Sequence, residues 1–246
     1  MPARPAHERP TTGRRWWPGL ALVITALAVL AAACGGDAPT AGTGGAAGAS
    51  GPEYKVTVAG DSISVGLGAS LRGAVTDDTV VKVIGVEGTG LARPDNFDWP
   101  TRLAELARDF PPQVLVLSLG SNDAQDLVDA DGRLDAALAD PEAWEAEYAA
   151  RLAASFDAFR DTGTRVIWVG HVRTREDRVG TVNRRVHQIA TDVAADRDWV
   201  QVEDLADYLG SGEGIATTCL IEDGLHLTTT CLDQAADALA ADLPPR

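Results

Sequence analysis

Short apolar runs alternate along the chain with longer stretches of helical period. Tyr54 to Ala59, Val80 to Ile84, Val114 to Ser118, Arg165 to Val169 and Val200 to Val202 are rich in β-branched and aliphatic residues and predict five strands. Between and after them, Val65 to Leu71, Pro100 to Asp109, Pro141 to Asp161, Thr181 to Asp198 and Thr229 to Ala241 predict helices. The longest places Trp144, Tyr148, Leu152, Phe156 and Phe159 on one side and stops before Gly163, which marks the aromatic stripe as core. Strands that are apolar throughout, separated by helices, predict a parallel sheet covered on both faces. The expected fold is therefore a three-layer α/β/α sandwich, flavodoxin-like, around a mostly parallel five-stranded sheet. Ligands of such sheets meet the carboxyl ends of the strands, so the residues directly after each strand are the first candidates for chemistry. No GxGxxG or GxxxxGK[ST] loop follows a strand, which argues against a nucleotide site.

The first 33 residues carry a different pattern. An Arg-rich start leads into Trp16 to Ala33, an uncharged apolar stretch ending in small residues, which spells a secretory signal. Cys34, after Leu30-Ala31-Ala32-Ala33, looks like the cysteine of a bacterial lipobox and is the expected lipidation site; an ordinary cleaved signal and a retained anchor are the alternatives. All three place the domain outside the cytoplasm, tethered to the outer face of the cell membrane or secreted. Residues 34–53 add a Gly- and Ala-rich linker that cannot bury apolar surface, and 54–246 form one folded domain. With Cys34 taken by the lipid, Cys219 and Cys231 remain as a disulfide pair in an oxidising compartment.

Composition narrows the partners. The formal net charge of the 246 residues is -15, and without the first 33 residues, which hold four arginines and one acid, it is -18. Such a domain repels phosphate backbones, and no basic stripe with interleaved aromatics offsets this, so nucleic acid is excluded as a partner. Contact with the membrane is expected through the lipid anchor only, and the domain is expected to be a monomer.

Three stretches combine position with chemistry. Gly60-Asp61-Ser62 follows the first strand and places a hydroxyl where a helix begins, although Asp-Ser is also an ordinary helix cap. Gly120-Ser121-Asn122-Asp123 follows the third strand and brings an amide donor to the same rim. Asp223-Gly224-Leu225-His226 sets a carboxylate three residues ahead of an imidazole, close enough to accept the Nδ1 proton and leave Nε2 as a base. In this order the motifs resemble the SGNH, or GDSL, hydrolase superfamily over about residues 56 to 240. The stretch GLARPDNFDWP is similar to that of a bacterial envelope-associated branch.

The resemblance implies that Ser62 is the nucleophile, His226 the base and Asp223 the acid that orients it. It further implies that the amides of Ser62 and Gly90 and the side chain of Asn122 hold the oxyanion, and that no metal or cofactor is needed. Gly90 is taken from the second block, Gly85 to Asp95; a more distal register would put Arg93 at that place. The expected reaction is hydrolysis of acyl or acetyl esters of envelope glycans or lipids through an acyl-enzyme. An O-acyltransferase with the same triad and a non-catalytic glycan-binding lipoprotein are the alternatives. A metal-dependent phosphoesterase built on Asp61, Asp123, Asp223 and His226 lacks the short Asp-x-His or His-x-x-x-His spacings. Of the other histidines, His171 follows the fourth strand and competes for the role of base or for one in the pocket, and His187 reads as a partly exposed helical residue. Asp61 reads as a turn acceptor, while Asp95, Asp98 and Trp99 fit a pocket and a structural turn equally well.

Overall fold

The computed structural model describes residues 53–170, 177–210 and 215–245. The leader, Cys34, nearly all of the linker and His171 lie outside the described residues.

The described chain runs β1 (Tyr54–Gly60), α1 (Ser62–Ala74), β2 (Thr79–Gly85), α2 (Trp99–Asp109), β3 (Val114–Ser118), β4 (Leu127–Val128), β5 (Leu134–Ala136), α3 (Pro141–Asp157), β6 (Arg165–Gly170), α4 (Asp177–Ala194), β7 (Val200–Asp204), α5 (Leu205–Tyr208) and α6 (Thr229–Asp242), with a 3-10 turn at Thr217–Cys219. Five strands make one sheet in the order β2-β1-β3-β6-β7, and each neighbouring pair is parallel. The short β4 and β5 form a separate antiparallel pair.

Alternation along the strands divides the core in two. Val114 and Val116 of β3 face one way, with Val56 and Val58 of β1, and meet Ile63, Leu67 and Leu71 of α1 and Ala235 and Leu239 of α6. Leu115 and Leu117 face the other way and meet Leu103 of α2, Trp144, Tyr148, Leu152 and Phe156 of α3, and Val182 and Val186 of α4. A strand covered on both faces has no polar side to show, which is why β3 is apolar at all but its last residue. Each large side chain buried this way contributes about 1.5–3 kcal/mol.

Three sequence expectations shift in detail. α3 ends at Asp157 rather than Asp161, so Phe159, though buried, lies in the turn that follows the helix. α1 begins at Ser62 rather than Val65, because Asp61 caps it and accepts from Ile63 N at 2.9 Å. α4 runs from Asp177 to Ala194, four residues earlier at each end than its sequence pattern suggests. Its end is fixed by tertiary structure: Arg197 N turns back to Ala194 O, and the Arg197 guanidinium pairs with Asp157 of α3 at 2.9 Å.

Candidate active site

The site is assembled where β1, β3 and the segment before α6 come together. Gly60 closes β1 at φ +132°, and a Cβ there would stand 1.8 Å from Ser118 O, so only glycine lets β1 and β3 end this close together. The next amide, Asp61 N, donates to that same Ser118 oxygen at 3.0 Å. Ser62 then falls in the first turn of α1, where backbone N–H groups lack intrahelical partners and the dipole favours negative charge.

The imidazole arrives from far along the chain. His226 Nε2 lies 2.7 Å from Ser62 Oγ, and His226 Nδ1 lies 2.7 Å from Asp223 Oδ2. An ionised carboxylate can only accept, so Nδ1 carries the proton and Nε2 accepts from the serine hydroxyl. Asp223 is held ionised: the Leu225 amide, the His226 ring and the His226 amide bring its carboxyl down to about 2. Those amides donate to Asp223 Oδ1 at 2.8 and 2.9 Å, closing a turn in which Gly224 takes φ +73°.

The turn is braced from both sides. Ile221 N donates to His226 O and Thr228 N to Cys219 O, with an antiparallel bridge between Leu220 and Leu227. The Cys219–Cys231 disulfide, with Cα atoms 5.5 Å apart, clamps this stretch to the first turn of α6.

Asn122 reaches the same cleft from the loop after β3. One of its amide hydrogens goes to Thr89 O at 2.9 Å, which leaves the other free to serve a ligand. The cleft is about 680 Å³, and Ser62, Asn122 and His226 line it together with Val65, Leu225, Glu87 and Gly88. Gly90 is set back from this wall: it is buried, and a Cβ on it would fall 2.1 Å from Asp123 Oδ1. Of the second-block glycines, Gly88 lines the cleft, at φ +71° with open space where a Cβ would be. Arg93 is also away from the cleft, paired to Asp95 at 2.7 Å. The place of Gly88 on the wall was not legible in the sequence, because it depends on the glycine's φ and neighbours, which composition does not reveal.

Two carboxylates lie buried behind the cleft. Burial pushes the Asp61 carboxyl up to about 7, with Asp123 adding to the rise, against the pull of the Ile63 and Ser121 amides and His226. Burial also raises Asp123, against donors from Ala92, Tyr148 and Leu91. Asp98 caps α2 through Thr101 N, and the buried Trp99 donates to Thr89 Oγ1 at 2.9 Å; both support the structure from outside the cleft wall. His187 lies tilted against Trp168, with ring centres 5.7 Å apart. No group of three His, Cys, Asp or Glu suited to a metal ion occurs among the described residues. A second cavity of about 380 Å³, lined by Lys55, Lys82 and Phe110, holds none of Ser62, Asp223 and His226.

Comparison with known proteins bears on this arrangement. A family described as "Protein of unknown function (DUF459)" matches residues 55–241. The chain belongs to the DUF459 family. No curated protein matches this DUF459 chain. Solved structures similar to it include a protein from Slackia heliotrinireducens described as a candidate SGNH hydrolase, at 17% identity and TM-score 0.55, covering 77% of this chain and 98% of that one. A catalytic variant of an acetylxylan esterase from Geobacillus stearothermophilus matches at 15% identity and TM-score 0.55, over 78% of this chain and 94% of that one. A member of the lipolytic G-D-S-L family from Veillonella parvula matches at 16% identity and TM-score 0.54, over 76% and 97%. The DUF459 chain thus has the SGNH hydrolase fold.

Proposed function

We propose that this chain is an extracytoplasmic serine esterase acting on acyl or acetyl esters of cell-envelope glycans or lipids. The observation that carries the reading is the continuous relay from Ser62 Oγ through His226 to Asp223, 2.7 Å at each step, at the head of a helix. Ser62 Oγ attacks the ester carbonyl as its proton passes to His226 Nε2, and Asp223 keeps the imidazole in the right tautomer and supports its positive charge. The developing oxyanion is received by the amides of Ser62 and Gly88 and by the free N–H of Asn122, with Gly88 assigned in place of Gly90 on its position in the cleft wall. Collapse expels the alcohol, which takes the proton from His226. Water then repeats the sequence on the acyl-enzyme.

The extracytoplasmic setting rests on the leader, Cys34 and the linker. The similarity to an acetylxylan esterase structure supports an acetylated glycan as one substrate to try. Ser62→Ala is expected to abolish hydrolysis of short p-nitrophenyl esters and labelling by a fluorophosphonate, while circular dichroism and thermal unfolding stay those of the unsubstituted protein. Labelling retained at another serine rejects the assignment.

A further inference from the structure

We propose that helix α3 sets the oxyanion donors in place through Asp123, so that Asp123 and Tyr148 are positioning residues of the ester-cleaving site; the inference rests on the esterase reading above. Asp123 has no contact with solvent, and the groups that donate to its carboxylate are uncharged. They are the amides of Ala92 at 2.9 Å and Leu91 at 3.2 Å and the hydroxyl of Tyr148 at 2.8 Å. Gly90 is pressed against the same carboxylate, with no room for a side chain. The loop that presents Gly88 to the cleft is thus pinned at its far end to one buried group.

That group sits next in the chain to Asn122. Asn122 in turn donates to Thr89 O at 2.9 Å, inside the pinned loop, so the loops after β2 and β3 are tied to each other twice. α3 holds the knot from behind. Trp144 Nε1 donates to Gln125 O at 2.8 Å, and Gln125 Nε2 to Asn122 O at 2.6 Å. Tyr148 donates to Asp123, and Arg151 Nη1 to Leu91 O at 2.8 Å. Positions 144, 148 and 151 are spaced i, i+4 and i+7, one face of a helix, and each donor tip reaches one of the two loops.

Core packing does not account for this. A phenylalanine at 148 would fill the same space without a buried hydroxyl, and a leucine or asparagine at 123 would avoid burying a carboxylate, which is costly unless hydrogen bonds satisfy it. Burial raises Asp123, while its three donors act in the opposite sense, as expected of a carboxylate kept for its acceptor capacity. What the arrangement secures is the relative placement of two N–H donors from separate loops. Such donors stabilise a transition state only when fixed within a few tenths of an ångström of where charge develops.

Tyr148→Phe keeps the ring and removes only the hydroxyl; Asp123→Asn keeps the shape but turns a donor toward the Ala92 or Leu91 amide. In the intact chain, with p-nitrophenyl acetate as substrate, Tyr148→Phe should lower kcat by roughly 10-fold and Asp123→Asn by roughly 100-fold, with KM within about twofold. Affinity for phenylboronic acid, whose tetrahedral adduct on Ser62 occupies the oxyanion position, should fall in step with kcat. A merely structural role would move the unfolding temperature while leaving kcat per fluorophosphonate-reactive site and boronate affinity unchanged. That result in Tyr148→Phe overturns the inference while the esterase reading stands. An unsubstituted chain that neither cleaves the ester nor reacts with fluorophosphonate overturns the reading and the inference together.

Discussion

Asp61 carries an electrostatic load that its place in the Gly-Asp-Ser motif does not advertise. Its carboxyl is fully buried at the cap of α1 and raised from 3.8 to about 7. Between those values the folded state holds a proton that the unfolded chain has lost. Stability from this group is therefore complete below about pH 4 and declines as pH rises to about 7. Asp61→Asn should remove that decline, which across this interval is about 1.4 kcal/mol for each unit of pH; unfolding temperatures of the two proteins from pH 4 to 8 test it. Asp223 behaves in the opposite sense: held down to about 2 from 3.8, it contributes stability that is fully present above about pH 5 and is lost as pH falls toward 2, so it tilts only the acid end of this range. Two of the second-block glycines, Gly88 and Gly90, separate just as cleanly. Gly90→Ala forces a Cβ into Asp123 and should cost stability and nearly all turnover. Gly88→Ala meets only the strain of its positive φ, on the order of 1 kcal/mol, and should fold with a reduced kcat. Ser62, Asn122, Asp223 and His226 were legible in the sequence because each is a polar side chain at a strand end or before a helix. Gly88, Asp123 and Tyr148 were not, since what distinguishes them is which backbone they approach in space.

Among the elements, the stretch from Cys219 to Cys231 joins chemistry to stability. The 12-residue separation gives the disulfide about 3 kcal/mol of stabilisation in the chain-entropy model. The doubly substituted Cys219→Ser, Cys231→Ser protein should lose about that much and should also lose turnover at temperatures where it remains folded. Activity unchanged after this substitution would reduce the bond to general stabilisation. The main strands were readable because a parallel strand buried on both faces is an uninterrupted apolar run, as in Val114 to Leu117. The β4 and β5 pair escaped notice: Leu127-Val128 and Leu134-Asp135-Ala136 are too short to show a period, and their pairing is fixed by contacts elsewhere, such as Val128 N with Ala92 O at 3.1 Å. The aromatic stripe of α3 was read correctly as core, but its donor tips were invisible from the pattern, which records that a residue is inside and not what its polar atom touches.

For the molecule as a whole, charge becomes the relevant variable. With a formal net charge of -15 and Glu87 on the wall of the cleft, the field at the site favours cationic and neutral substrates over anionic ones. The ratio of kcat/KM for acetylcholine to that for O-acetyllactate should exceed one at low ionic strength and fall by roughly threefold between about 10 mM and about 500 mM salt. A ratio indifferent to salt would confine the acidic surface to a role in solubility. The three-layer architecture and the convergence of distant motifs on one sheet edge were foreseeable, because strand ends in a parallel sheet share a rim whatever their separation in sequence.

In the proposed mechanism the acid and the base ride on a single four-residue turn, Asp223 to His226, while the nucleophile belongs to α1. A shift of that turn as a unit carries Asp223 and His226 together, so their mutual bond survives and only the gap to Ser62 opens. On that reading, the gap between this turn and the head of α1 is the single separation that such a shift changes.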